Sequence, residues 1–365
     1  MRVLLFGTYD TATHPRVATI AEGLRARGMD VAECNAPLGM DTAARVDTLA
    51  RPSRVPAFVA TVLRRWWTLA LAARRLPAPD VVVVGYLGHF DVHLARLLFR
   101  RTPIVLDHLV GAGDTARDRR LAGGPRQAIL AAIDRAALRA ADIVVVDTEE
   151  HRAALPDPAR AVVVPVGAPR AWFHAPDTGT GPPRVVFYGL YTPLQGTPVI
   201  GAALAQLATD PIEITMIGTG QDEAATRAAA RANPNVRWLD WVTADKLPAV
   251  VAEHDVCLGI FGTGPKALRV VPNKVYQGAA AGCAVVTSDT PPQRRALGDA
   301  AVLVPPGDPA ALAEALRRLA DGAELARLRA AAYELACRRF SPDQVVGGLV
   351  ERLSVVAGTD DQVRQ

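Results

Sequence analysis

Three cations gather in one short stretch of this chain. Lys266, Arg269 and Lys274 stand in Lys266-Ala-Leu-Arg-Val-Val-Pro-Asn-Lys-Val-Tyr-Gln-Gly-Ala-Ala-Ala-Gly282. An apolar run, Asp255–Phe261, precedes it and another, Cys283–Thr287, follows. The pattern reads as strand, loop, helix, strand, with the helix running from about Asn273 to Ala281. A helix start collects unpaired backbone N–H groups and a partial positive charge, which suits an anion. Three full charges at the same place point to a phosphate or diphosphate ligand. Lys266 and Arg269 also have an ordinary explanation as solvated loop cations.

The elements needed to position such a site are visible along the whole chain. With 365 residues and 50% hydrophobic content, it is too long for one ordinary core and suits two domains. Strands are predicted at Val3–Phe6, Asp30–Glu33, Val81–Val84, Ile104–Leu106, Ile143–Asp147 and Val162–Val164. Helical stretches such as His14–Arg27, Arg54–Leu76, Phe90–Arg100 and Arg126–Ala140 separate them. Runs such as Val81-Val-Val-Val84 are continuous, as in parallel strands covered on both faces. That predicts a doubly wound α/β domain over residues 1–167. Residues 168–183 are rich in Pro and Gly and read as a linker. A second series follows over 184–340, with strands at Val185–Tyr188, Ile212–Ile217, Val236–Leu239, Val256–Phe261, Ala284–Thr287 and Ala301–Val304. A helix opens after Asp308-Pro309 and another after Ser341-Pro342; residues 358–365 read as a disordered tail.

Bulk properties exclude several classes. The net charge of +4 is too mild and too scattered for nucleic-acid binding. The four cysteines (Cys34, Cys257, Cys283 and Cys337) are far apart, which fits buried, reduced thiols rather than disulfides or zinc. No apolar run is long enough to span a membrane, and the first residues read as a strand rather than a signal peptide, so the expected location is cytoplasmic. Residues 54–76 form an amphipathic pattern, with Val55, Val62, Trp66, Leu69 and Leu76 on one face and arginines opposite. Packing on a sheet explains this pattern, and peripheral contact with the inner membrane face is the alternative.

The cationic stretch also resembles a known family. Gln277-Gly-Ala-Ala-Ala-Gly282 sits where family-four retaining glycosyltransferases of the GT-B fold carry Glu-Ala-Met-Ala-x-Gly. Arg269 stands at the first family glutamate and Gln277 at the second. A subgroup reading Lys-x-x-Arg-Val-x-Pro-Asn-Lys-Val-Tyr is matched throughout. The resemblance implies an α/β GT-B fold, two doubly wound Rossmann-like domains facing an interdomain cleft, with the last helix (341–357) crossing back to the first domain. It implies a nucleoside-diphosphate-sugar donor in the second domain and an acceptor in the first. Neither a metal nor another cofactor is expected, because no suitably placed Asp-x-Asp appears.

Residue by residue, the resemblance reaches further. Phe187-Tyr-Gly-Leu-Tyr-Thr-Pro-Leu-Gln-Gly196 is similar to the loop that supplies two cations for the donor diphosphate, but Leu190 and Gln195 occupy those positions. Lys266, Arg269 and Lys274, with Asn273 at the helix start, are expected to take over the missing contacts. Gly189, Gly196, Gly218 and Gly220 would let backbone approach the donor. Trp241, in the loop resembling the base-binding segment, either stacks on the base or packs in the protein. Gln277 is placed to bond the ribose.

In the first domain, Gly7 permits close approach after the first strand, His14 caps a helix or meets an acceptor, and Arg16 reaches a phosphate or an anionic acceptor. His89 lies in a strand-end cluster, Gly85–His93. His108 matches the histidine that lies near the reacting sugar in many relatives, so His108 and Asp107 are the expected catalytic residues, with a structural histidine as the alternative; Asp114, of the subgroup pattern, and His89 are expected on the acceptor. Simple capping and surface charge are the competing explanations for His14 and Arg16. The resulting expectation is a retaining hexosyltransferase acting on a glycan, glycolipid or natural-product hydroxyl. Its rivals are a catalytically silent binding protein, favoured by the lost glutamates and cations, and a nucleotide-sugar epimerase.

Overall fold

A computed structural model describes residues 1–10, 15–39, 55–109, 125–177 and 181–363. The chain divides into two compact units, residues 1–165 with 342–365, and residues 166–341.

The first unit is built on a parallel sheet of β1 (Arg2–Gly7), β2 (Asp30–Asn35), β3 (Val81–Val84), β4 (Ile104–Asp107), β5 (Ile143–Val146) and β6 (Ala161–Val163). Their spatial order is β2-β1-β3-β4-β5-β6. Register pairs Val3 with Val81 and Val82 with Ile104. The valine runs are continuous because both faces are covered. Val81 and Val83 pack with Val17, Ile20 and Leu24 of α1 (Arg16–Ala26). Val82 and Val84 face the other way, onto Leu69 of α2 (Val55–Ala73) and Val92 and Ala95 of α3 (Asp91–Leu98). Helices α4 (Pro125–Ala140) and α5 (Glu149–Ala153) complete this part of the chain. The strand order runs outward in opposite directions from β1 and from β3, which makes their carboxyl ends the switch point where α/β sheets take ligands.

The second unit carries β7 (Arg184–Tyr188), β8 (Glu213–Ile217), β9 (Val236–Leu239), β10 (Val256–Leu258), β11 (Ala284–Ser288) and β12 (Ala301–Val304). The order is β12-β11-β10-β7-β8-β9, also parallel, with its switch point between β7 and β10. Helices α6 (Thr197–Gln206), α7 (Glu223–Ala229), α8 (Leu247–Ala252), α9 (Asn273–Ala280), α10 (Pro291–Leu297), α11 (Pro309–Arg318) and α12 (Gly322–Arg339) surround it. The start of α11 follows directly from its sequence. Asp308 accepts from the N–H groups of Ala310 and Ala311 at 3.0 and 2.9 Å, and Pro309 occupies the first turn, where no N–H is needed. Strand β10 ends three residues before the predicted Phe261. The Thr287 hydroxyl takes the Ile260 N–H at 3.3 Å in place of a ladder carbonyl.

Several sequence expectations need correction. The described part of the expected linker packs as part of the second unit: Trp172 is buried and stacks on Tyr188 with ring centroids 5.7 Å apart. Arg329 holds the same segment through Asp177, at 2.8 Å, and reaches Asp255 at 2.9 Å. Burial raises the Asp255 carboxyl, but hydrogen bonds from Arg184 and the charges of Arg184 and Arg329 outweigh it and leave the group below its usual range. The end of the chain is two helices, α13 (Pro342–Val345) and α14 (Gly347–Val363), rather than one helix and a disordered tail; backbone helix continues through 358–363. Val345, Val346, Leu349 and Leu353 join the core of the first unit, which explains why 342–365 groups there. Cys34, Cys257 and Cys283 are buried, but Cys337 is exposed because its position on α12 faces outward. Among the described residues, no helix is long and apolar enough to cross a membrane.

Candidate functional site

The switch point of the second sheet gathers most of the residues expected to hold the donor. Lys274 lies in the first turn of α9, and its side chain is not in solvent; only 4% of the residue is exposed. Its Nζ donates to Gln195 Oε1 across 79 residues of sequence and stands 3.9 Å from the centre of the Phe187 ring. Burial pushes this ammonium down to about 7. Gln195, at a position where the resembling family carries a cation, is therefore in direct contact with a cation delivered from α9.

Close backbone packing makes room for this arrangement. Gly189 has φ +137°, and a Cβ there would sit 3.2 Å from Lys274 Nζ. At Gly218 (φ +125°) a Cβ would come within 2.0 Å of the Gly189 carbonyl oxygen, so any side chain would force the β7 and β8 loops apart. Gly196, at the start of α6, lies against Phe261 and Gly262, and Gly220 lies against Tyr191. Leu194 packs on Ala267 and Val270, which brings the β7 loop against the turn carrying Lys266 and Arg269. Arg269 Nε donates to the Pro265 carbonyl at 3.0 Å.

Gln277 is buried and accepts a 3.0 Å hydrogen bond from the Tyr188 hydroxyl. That bond fixes the orientation of the amide. Asn273 is exposed at the helix start, as is Leu190 on the β7 loop. Trp241 is 68% exposed, which removes the packed-aromatic explanation and leaves its face open for stacking.

In the first unit, the carboxyl ends of β1, β3 and β4 hold a buried polar cluster. Arg16 Nε donates to Asp107 Oδ1 at 2.8 Å, with both side chains almost fully enclosed. Among the described residues, neither terminal nitrogen of Arg16 has a hydrogen-bond partner, and neither does Asp107 Oδ2. Burial raises the Asp107 carboxyl; the Arg16 charge opposes the rise without cancelling it. Arg16 is thus an internal cation with its outer fork unused rather than a surface charge.

Asp91 locks the first loop by accepting from Thr8 N–H at 2.7 Å, Thr8 Oγ at 2.8 Å and Trp66 Nε1 at 2.8 Å. A Cβ on Gly7 would meet Asp91 Oδ2 at 3.1 Å. His108 follows β4, next to Asp107, and its ring packs edge-on against His89 at 5.3 Å. Burial, and then the His89 charge, push His108 down to about 4, so it is neutral at physiological pH. His14 and Asp114 lie outside the described residues.

Sequence reasoning missed Asp91, Asp134 and the Asp147–His151 pair, whose Oδ1 and Nδ1 are 2.5 Å apart. The last has a readable signal, an acid and a histidine four apart just after a strand. Asp134 has none, because it is a lone acid on a helix whose other charges are arginines.

Comparison with known proteins agrees with this architecture. Over 97% of this chain and 99% of the other, the structure superposes on the sucrose-phosphate synthase of Thermosynechococcus elongatus with a TM-score of 0.72 at 16% identity. The Anabaena HepE protein in complex with UDP-glucose gives 0.67 at 14% identity, over 97% and 100% of the two chains. At such identities the likeness establishes the fold, which is that of the GT-B glycosyltransferases. Residues 182–322 match the family model Glycosyl transferases group 1. Phosphatidyl-myo-inositol mannosyltransferase of Mycobacterium leprae is 30% identical over 185 residues, 49% of this chain; the match spans about half, 48%, of that relative. The second unit is thus similar in sequence to group 1 glycosyltransferases, and the fold is that of the GT-B enzymes.

Proposed function

We propose that this protein is a retaining glycosyltransferase that moves a hexosyl group from a nucleoside-diphosphate sugar to the hydroxyl of an anionic acceptor. One observation carries the reading: Lys274 reaches from α9 into the β7 loop and meets Gln195 beside Gly189. This supplies a cation at the loop where the lost family cations belonged. Lys266 and Arg269 add charge on the adjoining turn. The leaving diphosphate gathers charge as the glycosidic bond breaks, so fixed cations and the start of α9 act where stabilisation matters most. The diphosphate also takes the acceptor's proton, so no metal is needed for donor handling. Asp107 then serves to hold Arg16, and His108 positions substrate as a neutral imidazole. The unused fork of Arg16 favours a phosphate or carboxylate on the acceptor.

The test is thermal-shift titration of the purified protein against nucleoside diphosphates and their sugars. At about a hundred times Kd, a ligand stabilises by about 2.7 kcal/mol. We expect one nucleotide to shift the transition strongly. A folded sample indifferent to the whole panel would overturn the donor assignment.

A second observation favours an acceptor at a membrane surface. Helix α2 buries Phe58, Val62 and Leu69, yet it also exposes Val59, Leu63, Trp67 and Leu71, by 46, 55, 69 and 42%. Four-residue spacing puts these on one outward stripe, and the exposed Arg64, Arg74 and Arg75 lie beside it. A cationic, Trp-bearing apolar stripe fits the interface of an anionic bilayer. The double variant Leu63→Glu/Trp67→Glu should lose at least about tenfold in binding to phosphatidylglycerol vesicles, since each apolar side chain contributes about 1.5–3 kcal/mol when buried. Its melting temperature should not fall. Equal sedimentation of both proteins with the vesicles would rule the stripe out.

A further inference from the structure

Three side chains of the first unit meet in a cluster separate from the cations of the second unit. His89 lies on the turn between β3 and α3, His108 follows β4, and Asp134 sits on α4. One ligand-capable atom from each lies within 4.8 Å of the other two. His89 Nε2 is 3.1 Å from Asp134 Oδ1. That is ion-pair distance, but the approach is off-line for a hydrogen bond, and among the described residues His89 Nε2 has no hydrogen-bond partner. His108 Nε2 has none either. His89 is only 7% exposed, so water does not readily satisfy it. Two buried imidazole nitrogens with no hydrogen-bond partner among the described residues are unfavourable if nothing binds there.

The geometry points to a binding site for a zinc-class divalent transition-metal ion, formed by His89, His108 and Asp134. Imidazole and carboxylate together are borderline ligands that suit zinc and its first-row neighbours rather than calcium or magnesium. Bonds of about 2.0–2.2 Å at tetrahedral angles put ligand atoms roughly 3.3–3.5 Å apart. The His89–Asp134 edge, at 3.1 Å, is slightly shorter than that. The remaining edges, each no longer than 4.8 Å, must shorten for an ion to be held. Three protein ligands leave a fourth position for water. A bound ion would tie the β3–α3 turn, the end of β4 and α4 together at the switch point of the first sheet. It would also occupy the His108 nitrogen that faces substrate in the transferase reading, so metal loading and substrate contact at His108 exclude each other. Donor binding involves different residues, in the second unit, and does not enter this inference. The absence of Asp-x-Asp gave no hint of this site, because its ligands come from three separated segments.

The test uses the full chain, stripped with a chelator and dialysed. It is titrated with zinc chloride by calorimetry and with cobalt chloride by visible absorption. We expect one equivalent of zinc, and a cobalt adduct with the intense d–d bands of a four-coordinate site. His89→Gln, His108→Gln and Asp134→Asn should each weaken binding by at least about tenfold. His254→Gln, on the second unit, should bind as the wild type does. Folded wild-type protein that takes up no stoichiometric metal would overturn the proposal, whether or not every variant folds. So would full uptake by all three ligand variants with circular dichroism unchanged.

Discussion

Lys274→Met is expected to lower affinity for the nucleoside diphosphate by about 100-fold while making the unliganded protein more stable. The two effects share one cause. The ammonium is buried, with a neutral amide and an aromatic face for company, and burial takes it down to about 7. A buried cation of this kind costs stability until an anion arrives. Methionine fills the same volume without the charge, so the free protein should gain about 1 kcal/mol or more, roughly 2–4 °C in melting temperature. Truncating a charged partner of a buried anion costs binding about 2–5 kcal/mol, which is the basis of the expected affinity loss.

The pH dependence of this effect has a definite sign. The folded pKa lies below the unfolded value of 10.5, so the unfolded chain holds the proton more tightly. Stability attributable to Lys274 therefore rises with pH between about 7 and the unfolded value, and Lys274→Met should remove that slope. Binding runs the opposite way. The diphosphate needs the charged form, so affinity should fall by about tenfold per pH unit above 7, with uptake of a proton on binding. Calorimetry in buffers of different ionisation enthalpy measures that proton directly. If the variant binds nucleotide as the wild type does, the role assigned to Lys274 is wrong.

The strands were readable because covered parallel strands spell themselves out as unbroken apolar runs. Val81–Val84 shows this most simply, with alternate valines feeding two different cores. The strand orders were not readable, since nothing in a strand's own residues says which neighbour it takes. The linker misled because Pro and Gly suggest freedom, whereas Trp172 and Asp177 pin the segment through partners far along the chain. The apolar face read from residues 54–76 included Val62 and Leu69, which are buried. The reading overlooked the second stripe, Val59 to Leu71, because a wheel identifies one hydrophobic direction and α2 has two. The cationic stretch was legible as charge, but its meeting with Gln195 was not, because that contact spans 79 positions. In the first unit the individual residues Arg16, Asp107, His89 and His108 could be named, but their burial could not. Burial is what turns Arg16 from a surface charge into an internal one.

Arg16→Met should destabilise the protein by about 3–5 kcal/mol near pH 7.5, because it strands the Asp107 carboxylate in a site almost closed to water. The loss should shrink as the pH is lowered. Burial already raises Asp107, and without Arg16 nothing opposes the rise, so the carboxyl escapes the penalty by taking up a proton. Asp107→Leu alone should be comparably harmful, since it leaves the guanidinium without its anion. The double variant Arg16→Met/Asp107→Leu removes both charges and fills the space with apolar atoms, so it should recover most of the lost stability. Chemical denaturation of the four proteins gives the cycle. The same four then separate structure from function. If the pair exists only to hold the first unit together, the stable double variant should transfer sugar normally. If the outer nitrogens of Arg16 bind the acceptor's anionic group, the double variant should stay folded and bind donor, yet its KM for acceptor should rise at least about tenfold, the worth of a charge-assisted hydrogen bond. Rescue of stability without rescue of acceptor binding is the expected result, and it assigns the cation to the substrate rather than to the fold.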